Sequence, residues 1–228
     1  EALKILPPHL NGNQTLVERF KREARSMASL NHPNIVSVYF VGEHEGCHFF
    51  TMEHLSGPSL DALVAEKGRR PAAEALGIIR QIAEAMEEAH SHGVIHRDIK
   101  PQNAMFDGRG RVKVLDFGLA KVSDASINLS RNASFGTLLY MAPEQMKDAS
   151  AADARSDIYS LGVTLFVLLS GVSPFQISSE AEAVVKVMME GVPALRSKVA
   201  DVHPAVEALV TRMTAKDPNA RFATATEL

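Results

Sequence analysis

Residues 96–103 read His96-Arg97-Asp98-Ile99-Lys100-Pro101-Gln102-Asn103, the densest run of chemistry-bearing side chains in the chain. Pro101 breaks any helix there, so Asp98 and Asn103 share one shaped loop just after the apolar pair Val94-Ile95. Thirteen residues past Asn103 comes Asp116-Phe117-Gly118, directly after the apolar run 112–115. A carboxylate at a strand end followed by glycine can hold a hard cation against a phosphate. Mg²⁺ takes few protein oxygens and shares its shell with substrate phosphates, and Asn103 and Asp116 offer oxygens of that type.

Working outward, the chain carries Gly136-Thr137-Leu138-Leu139-Tyr140-Met141-Ala142-Pro143-Glu144, then Asp157-Ile158-Tyr159-Ser160-Leu161-Gly162, then Arg221. Upstream lie Ala2-Leu3-Lys4 and Arg22-Glu23-Ala24. Taken singly, each has a plain reading. Lys4 is an edge charge on a strand, Glu23 a helix-surface residue, and His96 a core histidine with its hydrogen bonds met. Their joint order along nearly the whole chain resembles the eukaryotic-type (Hanks-type) Ser/Thr protein kinase catalytic domain, in the style of its bacterial branch. The fold class this implies is α+β: a two-lobed protein kinase fold with a small β-rich lobe and a large helical lobe.

The resemblance implies transfer of the ATP γ-phosphoryl group to a protein Ser or Thr hydroxyl, with ATP and Mg²⁺ as cofactors and proteins as substrates. It implies Asp98 as the base, Lys100 as a charge beside the transferring phosphoryl, and Asn103 and Asp116 as metal ligands. Lys4 is implied on the α/β-phosphates, held by Glu23. Ala2 and Met105 are implied above and below the adenine, with Met52 as gatekeeper and Glu53 and Leu55 presenting backbone groups to its edge. Arg97 is implied as receptor of an activation-segment phosphate, with Ser130 and Ser134 the favoured acceptors among Ser123, Ser126, Ser130 and Ser134. Thr137 is implied to bond Asp98 and Lys100, and Arg221 to pair with Glu144. Activation in trans within a homodimer follows from the same resemblance.

The family's Gly-rich loop and the first two strands of the small lobe precede the lysine strand. The chain begins three residues before Lys4, so it is expected to be cut at both ends and to hold an incomplete small lobe. The alternative reading is a pseudokinase or docking module, inactive as a fragment for want of that loop. Retention of Lys4, Asp98 and Asp116 speaks against it for the parent protein and leaves it open for the fragment alone.

Periodicity predicts a strand over 2–6, a helix over 15–30 burying Leu16, Phe20, Met27 and Leu30, and strands over 35–41 and 47–52 around a turn at 42–46. Ser56-Gly57-Pro58-Ser59 marks a lobe boundary, which divides the chain into 1–55 and 56–228. Downstream, helices are predicted over 71–92, 157–170, 181–190 and 204–214. Short strands are predicted at 94–95 and 112–115, a Ser- and Asn-rich loop over 123–134, and the start of a helix at 224–228.

The 228 residues are 46% apolar and 22% charged, which excludes wholesale disorder. Lys and Arg number 24 against 27 Asp and Glu, so the net charge of −3 gives no basic excess for nucleic acid. Cys47 is the single cysteine, which excludes an internal disulfide and a multi-cysteine zinc site and suits a reducing compartment. The longest apolar stretch, 161–172, is about half of the ~20 residues a spanning helix needs. No membrane segment or signal peptide is read in the chain. A cytoplasmic location, or a cytoplasmic domain of a membrane-anchored parent, is expected.

Overall fold

The computed structural model describes residues 1–117 and 136–228. Its first third is a three-stranded antiparallel sheet of β1 (Ala2–Ile5), β2 (Val38–His44) and β3 (Cys47–Met52), in the order β1-β3-β2. Side chains alternate along β1, so Ala2 and Lys4 face inward while Leu3 and Ile5 are exposed. α1 (Gln14–Ala28) starts at Asn13, whose side chain accepts from the Leu16 N–H. The apolar stripe Val17, Phe20, Ala24 and Met27 is buried, and the Phe20 ring meets Phe50 of β3 at 5.2 Å. Leu16, expected in that stripe, is only half-buried, because the buried face runs one residue later, through Val17.

The hairpin between β2 and β3 turns on Glu45-Gly46 alone, both at positive φ (50° and 76°). Two left-handed residues in succession match the twist of the flanking strands, so the strands run on through Gly42 and the turn is shorter than predicted. Residues 34–36 leave this sheet for another partner. Ile35 bridges Val114, the Val36 N–H donates to the Val114 carbonyl (3.0 Å), and the Val114 N–H donates to the Asn34 carbonyl (2.8 Å). That commitment explains why the expected strand at 35–41 begins only at Val38.

The rest of the described chain is mostly helical. α2 (Leu60–Lys67) is followed by α3 (Ala72–Ser91), then the two-stranded sheet of β4 (Ala104–Phe106) and β5 (Val112–Val114). Val94-Ile95 forms no strand; the Val94 N–H instead closes the end of α3 on the Ala89 carbonyl (2.9 Å). Beyond residue 136 come α4 (Pro143–Lys147), α5 (Ala154–Ser170), α6 (Glu180–Val185) and α7 (Pro204–Met213). α6 continues as a π-helical turn over Lys186–Glu190, and Ala225–Glu227 is a short 3₁₀ turn.

α5 is buried from Ser156 to Leu169, and its mostly apolar sequence suits a central helix. A capping box of Asp153 and Ser156 starts it. At Gly162 an added Cβ would lie 2.7 Å from the Met213 Cβ, so only glycine lets α7 approach this closely. α3 and α5 pack together around the main core, with Ile78, Ile82, Met86, Leu161, Leu165 and Phe166 among its buried members. No helix among the described residues is long and apolar enough to cross a membrane.

Candidate active site

Asp157, near the start of α5, is 1% exposed and organises the loop before β4. Its carboxylate accepts from the backbone N–H of His96 and of Arg97, each at 2.8 Å, and meets the His90 ring nitrogen at 2.8 Å. Held this way, Arg97 adopts φ 66°, a left-handed conformation that a side-chain-bearing residue rarely takes. The Arg97 carbonyl accepts from the Gln145 side-chain amide of α4 at 2.9 Å.

His96 lies fully buried under this loop, its ring 4.6 Å from that of Phe117. The Asp98 N–H donates to its Nδ1 (3.2 Å), so the proton sits on Nε2 and is donated to the Leu115 carbonyl (2.9 Å). Burial holds the imidazole pKa below its ordinary 6.5, against the pull of the Asp157, Asp98 and Asp116 carboxylates.

The Asp98 carboxylate accepts from the Asn103 amide at 3.0 Å and pairs with the Lys100 ammonium at 3.0 Å. The Asn103 amide also bonds the Asp98 carbonyl (2.8 Å), which closes the loop on itself. Lys100 reaches across to donate to the Thr137 hydroxyl at 2.8 Å. Asn103 is tied to the strand after it, its carbonyl accepting from the Leu115 N–H (2.9 Å).

Asp116 follows β5 with φ 50°. Its carboxylate is 2.6 Å from the Lys4 ammonium, and Lys4 in turn is 3.2 Å from Glu23 of α1. Residues distant in sequence therefore meet, because β1 points Lys4 inward and α1 turns Glu23 toward it. Burial works to lower the Lys4 pKa, but the Asp116 and Glu23 carboxylates outweigh it and the net shift is upward. Burial raises the Glu23 pKa, and the repulsion of Asp116 adds to it against the opposing pull of Lys4. Both directions agree with a lysine that leans toward Asp116.

Met52 ends β3 opposite Ala2 of β1, and Met105 lies in β4 opposite Lys113. The Glu53 N–H donates to the Ser37 carbonyl at 2.9 Å, while Leu55 is buried. Sequence reasoning gave the Glu53 side chain no partner. It pairs with Lys113 at 2.7 Å, and Lys113 also donates to the Ile35 carbonyl at 3.3 Å. A lone charge inside the apolar run 112–115 was the available signal. His90 and Gln145 were likewise missed, and neither stands out in an amphipathic helix or after a Pro-Glu pair.

Arg97 keeps a buried Nε with no hydrogen-bond partner among the described residues. Burial depresses its pKa and the neighbouring Arg22 cation adds to this, while Asp157 opposes both. Ser123, Ser126, Ser130, Ser134 and Gly118 lie outside the described residues. Arg221, its side chain fully buried, forks onto Glu144 at 2.7 and 2.8 Å, and the Ser156 hydroxyl donates to the same carboxylate at 2.7 Å.

The protein kinase domain family model matches residues 1–228. The chain is 38% identical over 227 residues to the probable serine/threonine-protein kinase PknB of Lactococcus lactis, covering all of this chain and 36% of that protein. Serine/threonine-protein kinase PrkC of Bacillus subtilis is 37% identical over 227 residues, with 100% of this chain and 35% of the relative covered. PknB of Mycolicibacterium smegmatis is 39% identical over 234 residues, with 100% and 37% covered. The chain thus spans about a third of the length of these relatives. The crystal structure of the Mycobacterium tuberculosis PknI kinase domain superposes with a TM-score of 0.74 at 26% identity, over 99% of this chain and 80% of that one. With the two-lobed fold, the order of motifs and these matches in agreement, the chain belongs to the protein kinase domain family, and the relatives it resembles are bacterial Ser/Thr kinases.

Proposed function

We propose that this chain transfers the γ-phosphoryl group of ATP to Ser or Thr hydroxyls of proteins. The observation that carries the reading is the Asp98 carboxylate, held by Asn103 and Lys100 in one loop whose Lys100 also touches Thr137. In this reading residues 1–55 and 56–228 form the two lobes, and the nucleotide lies between them. Ala2, Met52 and Met105 flank the adenine, and the Glu53 carbonyl and the Leu55 backbone face its edge.

Asp98 accepts the hydrogen bond of the attacking hydroxyl and takes its proton. In a loose phosphoryl transition state that proton leaves late, so a weakly basic carboxylate suffices. Lys100 sets a positive charge where the equatorial oxygens gain charge. Lys4 contacts the α/β-phosphates and Glu23 fixes its direction, so opening of that pair costs activity with little change in fold. The Asn103 amide nitrogen is occupied by Asp98, which leaves its oxygen to join the Asp116 carboxylate as a hard donor set that fits Mg²⁺. The bound ion supplies charge neutralisation across the transferring phosphates.

Arg97, half-buried with its Nε out of solvent and beside both Arg22 and Asp157, suits a phosphate carried by Ser130 or Ser134, which would add to the negative charge facing the two cations. Modification in trans between two copies is the route this reading adopts. The lone Cys47 suits a reducing compartment, cytoplasmic or the cytoplasmic side of a membrane-anchored parent.

The test is a mass-resolved phosphotransfer assay with Mg-ATP and a generic protein substrate, beside Asp98→Asn. The expected outcome is phosphate on Ser or Thr, with the variant slower by about 10²–10⁴-fold at an unchanged melting temperature. Equal activity in Asp98→Asn removes Asp98 from the mechanism, and silence of the wild type removes the reading. Sites mapped to Ser130 or Ser134 support the Arg97 receptor, and sites confined elsewhere exclude it.

A further inference from the structure

The Arg97 peptide is pinned from both sides. Asp157 of α5 takes its N–H at 2.8 Å, and Gln145 of α4 gives a hydrogen bond to its carbonyl at 2.9 Å. Between these two bonds sits a non-glycine residue at φ 66°, a conformation that persists only where surroundings enforce it. Asp98 is the next residue, and the direction of its carboxylate follows from the torsions that these bonds hold.

Gln145 is an unusual choice for its place. It is 3% exposed, and its Oε1 is buried with no hydrogen-bond partner among the described residues. A buried amide that leaves one polar atom unmet is destabilising relative to an apolar side chain of the same shape. Packing alone therefore favours leucine or methionine, and what glutamine adds is the donor on the Arg97 carbonyl. The same stretch of chain holds the loop at a second point, because Thr137, eight residues before Gln145, accepts from Lys100.

We infer that Gln145 is a positioning residue for Asp98: its amide locks the left-handed Arg97 peptide and so couples the segment 136–147 to the direction of the catalytic carboxylate. This rests on the proposed phosphotransfer function for its kinetic consequence but not for its structural one. The nucleotide-binding groups Lys4, Met52 and Met105 lie on other elements, so the effect belongs to turnover and not to ATP affinity.

The experiment compares Gln145→Met and Gln145→Leu with Met146→Leu, a buried neighbour in α4. Both Gln145 variants remove the donor and leave no titratable group in its place. Two readouts are taken: kcat and KM for ATP, and amide hydrogen exchange of the peptide covering 96–103. Expected is a fall in kcat of about tenfold with KM for ATP within about twofold, the scale of a small misplacement of a reacting group. Exchange should rise at 96–103 and stay unchanged in α3 and α5, and Met146→Leu should match the wild type in both readouts. Unchanged kcat and unchanged local exchange overturn the inference. So does a loss of kcat that simply follows melting temperature across all three variants. If the wild type itself transfers no phosphate, the functional proposal falls, and the exchange at 96–103 still decides whether Gln145 holds the loop.

Discussion

At His96, two hydrogen bonds and complete burial settle the protonation state: Nδ1 accepts from Asp98, Nε2 donates to Leu115, and no room is left for a second proton. The imidazole is held below its ordinary pKa by burial, although Asp157, Asp98 and Asp116 all pull the other way. The unfolded chain therefore binds this proton more readily than the folded one. Stability from His96 is present above pH 6.5 and is lost as pH falls below that value toward the depressed folded pKa. Denaturant midpoints measured across this window should decline on acidification in the wild type and less steeply in His96→Gln. Identical slopes would remove His96 as the source. Because protonation at Nδ1 also breaks the bond to the Asp98 N–H, phosphotransfer should fall over the same window.

Among the elements, β5 links the two parts of the molecule. Its Lys113 is 6% exposed in the side chain, and it joins Glu53, just past β3, to the Ile35 carbonyl. Removing one partner of a poorly solvated ion pair strands the other. Lys113→Met should cost about 2 kcal/mol, below the fully buried case because Glu53 is 23% exposed. The double variant Lys113→Met/Glu53→Leu should recover most of that loss in urea unfolding, and strictly additive losses would show the two side chains to be uncoupled. This pair also marks the limit of what the sequence disclosed. The long helices and the strands β1, β3 and β5 followed from periodicity, whereas α2, α4 and β4 were not read and the strand expected at 94–95 does not form; the loop 96–103 and Asp116 stood out through their polar types at set spacing. Long-range partners had no such signal. The strand at 35–41 was misread because Ile35 pairs with Val114, a tertiary choice that local pattern does not encode. Gln145 was invisible because a single amide in a five-residue helix reads as surface.

At the scale of the whole molecule, Arg221 closes the chain onto itself from near its far end. Its guanidinium forks onto Glu144, bonds the carbonyls of Arg155, Ala215 and Lys216, and lies 4.9 Å over the Tyr159 ring. The start of α5, the segment after α7 and α4 are thus joined at one buried charge. Burial acts to raise the Glu144 pKa, but the bonds from Arg221 and Ser156 outweigh it, so the folded value lies below the ordinary 4.5. Stability from this carboxylate is present above pH 4.5 and is lost as pH falls through the lowered folded pKa. Arg221→Met removes the fork and leaves Glu144 with desolvation as its leading influence, which reverses the sign: its pKa rises, and acid then relieves the penalty of a stranded carboxylate. The variant should be less stable by about 3–5 kcal/mol near neutral pH. Its gap from the wild type should narrow as pH is lowered from about 7 to about 4, read from unfolding free energies at each pH. A gap that stays constant over that range would mean the loss comes from the carbonyl bonds and the Tyr159 contact, with Glu144 contributing little.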